Sequence, residues 1–158
     1  MRFWDSSAIV PLIVTETSTE GLLASAMQDP VMCVWWATEI ECVSALCRLE
    51  REAALTDRAI AAAFGRLDRL AESWNEVQPT AALRGTARRL LRVHPLRGAD
   101  SLQLAAAVIA SEGLPASLNI VTLDERLASA ARREGFTVQS IDPARCRPKS
   151  VAQGHSSL

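Results

Sequence analysis

Short runs of β-branched and aromatic residues alternate along the chain with longer stretches of helical period. This is the pattern of a parallel sheet covered by helices. Arg2–Trp4 reads as a first strand, with one or two helices over 6–27 and a second strand at 31–34. Apolar Val43, Leu46 and Leu49 at three-residue steps predict a helix over 38–52. Thr56-Asp57 opens another, through Ala59, Ala63, Leu67 and Leu70 to about 73, and 76–78 is a short third strand. Pro79-Thr80 begins a helix that reaches Val93, and His94-Pro95-Leu96-Arg97-Gly98 breaks the periodicity as a loop. Helix resumes at Asp100 and stops near Ser111, before Gly113 and Pro115. A strand at 119–122 precedes a helix over 124–134, closed by Gly135, and a last strand falls at 136–138. The expectation is one α/β domain over 1–142, followed by a polar, frayed tail over 143–158.

Composition narrows the chemistry. The 158 residues are 49% hydrophobic and 22% charged, as in a globular protein with one core. No apolar run approaches the ~18 residues of a membrane span, and Asp5 interrupts what a signal peptide would keep apolar, so a cytoplasmic protein is expected. Cys33, Cys42, Cys47 and Cys146 form no C-x-x-C pair and there are two histidines, which speaks against structural zinc. All but one of the 17 basic residues are arginine, and the sole lysine is Lys149. That excludes a P-loop and Schiff-base chemistry inside the fold. No glycine fingerprint of a dinucleotide site is present. The net charge of −1 gives no hint of a nucleic-acid partner.

Acids recur where strands hand over to helices: Asp5, Glu41 and Asp124 after strands, and Asp100 after a loop. Sites in open parallel sheets form outside the carboxyl ends of strands, where such side chains converge. Each acid also has a structural explanation. Thr38 and Glu41 fit a capping box, Asp100 and Asp124 fit helix caps, and Asp5 fits a turn with Ser6 and Ser7. Capping alone does not require all of them to share one edge. Clustered carboxylates repel unless a cation sits among them, and oxygen ligands without His or Cys suit Mg²⁺ or Mn²⁺. Such a centre suits phosphodiester hydrolysis.

At these residues the sequence resembles the PIN-domain family, and more narrowly the VapC-type toxin ribonucleases of type II toxin–antitoxin systems. Phe3-Trp4-Asp5-Ser6-Ser7-Ala8-Ile9-Val10 is similar to the first acidic motif, and Glu41-Cys42-Val43-Ser44-Ala45-Leu46 to the second. Arg97-Gly98-Ala99-Asp100-Ser101-Leu102-Gln103-Leu104-Ala105-Ala106-Ala107 resembles the third, and Val121-Thr122-Leu123-Asp124-Glu125-Arg126-Leu127 the fourth. The resemblance implies a three-layer α/β/α fold around a parallel, roughly five-stranded sheet. It also implies a metal-dependent endoribonuclease, with Asp5 and Asp100 as direct Mg²⁺ ligands and Glu41 and Asp124 completing the cluster or positioning water. Ser6 and Thr122 would give hydrogen-bonding support. Arg126 stands where many members carry another acid, so a one-metal site is expected. The resemblance further implies a homodimer, an RNA substrate and a VapB-type antitoxin partner.

Glu39 competes with Glu41 for the second position. Helical periodicity places Glu39 in phase with Val43 and Leu46, whereas the motif selects Glu41. Arg84, Arg88 and Arg92, at four-residue steps, form either a solvated helix face or, with Arg97, an RNA phosphate track. Trp35 and Trp36 read as core or subunit packing, His94 as a surface residue, and the alanine-rich stretches at 61–63 and 105–107 as close-packing surfaces. Two further readings compete. One is a PIN-like module that binds RNA or protein without cleaving. The other is an aspartate-based phosphotransfer domain, which wants a second Asp at Ser7 and a lysine near the phosphate.

Overall fold

A computed structural model of the chain describes residues 1–139. The expected domain end at 142 and the tail at 143–158 lie outside the described residues. The elements are β1 (Arg2–Trp4), α1 (Ser6–Ile13), α2 (Thr19–Gln28), β2 (Met32–Trp35), α3 (Thr38–Arg51), α4 (Asp57–Ala71), β3 (Asn75–Val77), α5 (Ala81–Val93), α6 (Gly98–Ala110), a short 3-10 turn at Pro115–Ser117, β4 (Asn119–Val121), α7 (Glu125–Arg133) and β5 (Thr137–Gln139). The strands form one five-stranded sheet in the order β3-β2-β1-β4-β5. Every neighbouring pair is parallel.

Alternate residues of each strand point to opposite faces. Phe3, Cys33, Trp35 and Ile120 pack with Leu83, Ala87 and Leu90 of α5, Leu104–Ala107 of α6 and Leu127, Ala130 and Ala131 of α7. Trp4, Met32, Val34 and Val121 pack on the other side with α1 to α4, through Ile9, Ile13, Leu22, Cys42, Leu46, Ala63 and Leu67. The result is three layers, α/β/α, with a core on each face of the sheet. Ala105, Ala106 and Ala107 are wholly buried inside this core, whereas Ala61 and Ala62 are exposed.

Two helix starts differ from the sequence expectation. The helix expected from Asp100 begins at Gly98 with Arg97 as its N-cap, so Asp100 occupies the third helical position. Ala37, not Thr38, is the N-cap of α3, and Thr38 is buried as its first residue. Neither Thr38 nor Asp100 is therefore an N-cap; Asp100 instead reaches back from the third position to the Arg97 N–H. At the far end of α7 the expectation holds, with Gly135 at φ +94° in the left-handed region that glycine adopts without strain.

His94 is a further correction. It follows α5 but is buried, and its Nε2 donates to Oε1 of Glu134 at 2.7 Å. Glu134 also accepts from Arg89 Nη2 at 2.6 Å and Nη1 at 3.2 Å. One carboxylate therefore ties the end of α5 to the end of α7, and Arg89 holds it below its ordinary pKa, with His94 adding to the effect. A lowered carboxyl pKa stabilises the fold above the unfolded value, 4.5 here, and that contribution disappears as pH falls through the folded value. Wild type should therefore exceed Glu134→Gln by ~1 kcal/mol at neutral pH, a figure kept small because Arg89 is half exposed. In thermal melts the gap should close on acidification below pH 4.5.

Candidate active site at the sheet edge

The chain leaves β1 toward β2 on one side and returns from β3 to β4 on the other. The carboxyl end of β1 is thus the switch point of the sheet, where ligand crevices form. Asp5 stands there. Its backbone N–H donates to Val121 O at 3.0 Å, extending the β1–β4 ladder, and its side chain caps α1. Asp5 is only 5% exposed. Its Oδ2 accepts from the backbone N–H of Ser7 at 3.2 Å, from the Ser7 hydroxyl, and from the Thr122 hydroxyl at 2.9 Å. The same two hydroxyls accept from the chain beyond β4: Ser7 Oγ from Leu123 N at 2.9 Å, and Thr122 Oγ1 from Asp124 N at 3.0 Å.

Thr122 therefore supports Asp5 as expected, while Ser6 makes no side-chain hydrogen bond among the described residues and Ser7 does this work instead. Sequence carried a signal for Ser7, because an aspartate side chain typically bonds the residue two positions on.

Asp124 is the N-cap of α7, its Oδ1 accepting from Arg126 N at 2.8 Å and Leu127 N at 2.9 Å. Asp100 Oδ2 accepts from the backbone N–H of Arg97 at 3.2 Å. Glu41 lies in the first turn of α3, and its Oε2 accepts from Gln103 Nε2 of α6 at 2.8 Å. Buried Thr38, Cys42 and Leu46 define the inward face of α3, so Glu41, three residues after Thr38, borders that face. Glu39 and Glu41 flank that face on opposite sides, both half-buried, and it is Glu41 that meets Gln103. Gln103 went unnoticed as a site residue, although it lies three residues after Asp100 on the same helix.

Each of the four acids thus commits one oxygen to hydrogen bonding. The other oxygen (Oδ1 of Asp5 and Asp100, Oε1 of Glu41, Oδ2 of Asp124) makes none among the described residues. Burial pushes the Asp5 carboxyl above its ordinary pKa. The Ser7 and Thr122 hydrogen bonds oppose the rise and the charge of Glu41 adds to it. The Cys42 thiol beneath them is pushed up to about 12, by burial first and then by Glu41, Asp5 and Glu39. Three carboxylates therefore act on this corner of α3. Among the described residues, no three His, Cys, Asp or Glu side chains are gathered closely enough to hold one metal ion. The donor chemistry suits a hard cation such as Mg²⁺, and the charge of Glu41 reaches Asp5 across the edge.

Of the arginines, Arg84, Arg88 and Arg92 lie exposed along α5, and Arg97 is exposed at the start of α6. Trp35 is core, whereas Trp36 is 49% exposed and meets Trp35 edge-on at 6.3 Å.

A five-stranded parallel sheet between two helical layers, with an acidic edge at its switch point, defines a PIN-like α/β domain. No family profile matches the chain. Among solved structures it is similar to PAE2754 from Pyrobaculum aerophilum, at TM-score 0.59 and 20% identity, covering 87% of this chain and 89% of that one. It is likewise similar to FitAcB from Neisseria gonorrhoeae, at TM-score 0.59 and 18% identity, covering 91% and 99%. Two curated Mycobacterium tuberculosis proteins are closer in sequence: Ribonuclease VapC45 of strain CDC 1551 / Oshkosh and Ribonuclease VapC49 of strain ATCC 25618 / H37Rv. Each is 31% identical over 145 residues, covering 89% of this chain and 97% of its own length. The chain belongs to the VapC ribonuclease family. Among the described residues no helix is long and apolar enough to cross a membrane.

Two substitutions should move stability in opposite directions. Asp5→Asn keeps an acceptor for Ser7 and Thr122 but removes a buried charge, so the metal-free protein should gain ~0.5–2 kcal/mol, as relaxed functional sites often do. Asp124→Ala removes an N-cap and should lose ~0.5–2 kcal/mol. Thermal denaturation in EDTA at neutral pH measures both.

Proposed function

We propose that the chain is a Mg²⁺-dependent endoribonuclease and the toxin of a toxin–antitoxin pair. In this reading it hydrolyses RNA phosphodiester bonds at Asp5, Glu41, Asp100 and Asp124. The observation that carries the reading is the buried Asp5 carboxylate at the switch point of a VapC-family fold. Its Oδ2 is fixed by two hydroxyls, and its charge is disfavoured by burial and by Glu41. A bound Mg²⁺, with Mn²⁺ as a substitute, would activate a water and offset charge on the phosphate. Asp5 and Asp100 are its proposed ligands, with Glu41 and Asp124 completing the cluster or positioning water. Ser7 and Thr122 lock Asp5 so that Oδ1 remains its available oxygen.

Arg84, Arg88, Arg92 and Arg97 are proposed to contact RNA phosphates. Arg88 and Arg92 line a surface groove of about 580 Å³ along α5, with Gly85, Arg89, Leu91 and Val93. Arg89 is taken up by Glu134 and is left out of this set. A homodimer, a cognate VapB-type antitoxin and a cytoplasmic location complete the proposal. The non-catalytic alternative, a module that binds RNA or protein, draws on the ungathered acids. An aspartate-based phosphotransfer domain has less support, since Ser7 holds the place of its second acid.

EDTA-stripped protein incubated with structured RNAs should cleave only when Mg²⁺ or Mn²⁺ is restored, and Asp5→Ala should lose at least ~100-fold in rate. Cleavage equal in variant and wild type would overturn the reading. RNA binding with no metal-dependent cleavage would favour the non-catalytic module. Replacing Arg84, Arg88 and Arg92 by Gln should weaken RNA binding and reduce the slope of log affinity against log salt by ~2, from ~0.7 per lost phosphate contact on a single strand. Filter binding across a salt series measures this.

A further inference from the structure

Gln103 is the one large polar side chain among the most deeply buried residues of the described chain, at 1% exposure. Its amide lies between two elements that carry site acids. Nε2 donates to Glu41 Oε2 at 2.8 Å and to Thr38 Oγ1 at 3.2 Å, both on α3, while its own helix, α6, holds Asp100 one turn earlier. A carboxylate only accepts, so the amide nitrogen must face Glu41, and both N–H protons are engaged on α3. Oε1 is then left buried with no hydrogen-bond partner among the described residues. A core position chosen for stability would be filled by an apolar residue such as the Leu104 beside it. A buried amide that satisfies its donors on a catalytic candidate and leaves its acceptor unmet is chosen for orientation.

We infer that Gln103 is a positioning residue that clamps the Glu41 carboxylate against the α6 helix carrying Asp100. It leaves Oε1 of Glu41 as the oxygen that works on water or cation. This rests on the nuclease reading above. The clamp freezes Glu41 at one rotamer and fixes the α3–α6 spacing, so the two acids keep a constant relation although they belong to different elements. Groups that orient a metal-site ligand typically contribute 10–100-fold to activity or affinity.

The test has two arms. In ¹⁵N-labelled protein the Gln103 side-chain amide protons should exchange slowly and shift in Glu41→Ala. Rapid exchange and no shift would overturn the clamp without reference to activity. In the RNA cleavage assay, Gln103→Met keeps the volume and removes the donor. It should lower kcat ~10–100-fold with KM for RNA unchanged and no fall in thermal midpoint. Gln103→His, which can restore an N–H toward Glu41, should recover most of that loss. Cleavage by Gln103→Met within about threefold of wild type, or an equal loss in both variants together with a lowered midpoint, would overturn the inference. Asp5→Ala run alongside separates the two levels. If Asp5→Ala still cleaves, the acidic-site reading fails; if only Gln103→Met still cleaves, the positioning role fails.

Discussion

Burial of a carboxylate at the centre of a parallel sheet is the constraint on which the rest of this structure depends. Asp5 sits between β1 and α1 with almost no contact with water, so its charge must be met by donors from the chain. The donors it finds are the hydroxyls of Ser7 and Thr122, one from its own helix and one from the end of the neighbouring strand. Those hydroxyls in turn accept from Leu123 and Asp124, which fixes the entrance to α7. The positive end of the α1 dipole favours the same charge. Placing one aspartate therefore orders two strand ends and two helix starts.

A second anchor lies on the other side of the same edge, where Gln103 links α3 to α6. The two anchors share no hydrogen bond. They meet through the charge of Glu41, which raises the Asp5 pKa in the same direction as burial does. The four acids are thus oriented by separate devices: a helix cap with hydroxyl partners, an amide contact, a third-position contact and a plain N-cap. Separate devices explain why the acids are oriented one by one without being drawn into a single cluster.

Much of this was legible in the sequence, and the exceptions have physical causes. Order and type of elements followed from β-branched runs and helical period, and the five parallel strands fell within a residue of their expected places. Strands of three or four residues are too short to show an alternation that would pin their ends. The acids at 5, 41, 100 and 124 were legible as a pattern, but their individual roles were not. A cap is chosen by backbone geometry, so Arg97 and Ala37 cap helices that Asp100 and Thr38 were expected to cap. His94 looked exposed beside Pro95 because nothing local announces Glu134, forty residues away. Gln103 was invisible for the same reason, since its partners lie more than sixty residues back.

None of the four acids proposed for the site forms a salt bridge with an arginine or lysine among the described residues, while Arg89 and the N-terminus do find carboxylates elsewhere. Pairing each acid internally would have been the simpler way to stabilise this edge, since opposite charges at contact distance favour both ionised forms. The fold uses neutral donors instead: two hydroxyls, an amide and backbone N–H groups. Neutral donors orient a carboxylate without cancelling its charge, so the edge keeps its negative potential while each side chain keeps its direction. For a polyanionic substrate that potential alone is repulsive. In the proposed reaction, therefore, attraction has to come from a cation at the acids and from the arginines on α5 and at the start of α6. In that reaction, separating a negative working edge from a positive approach surface would let one small domain, with net charge −1, do both.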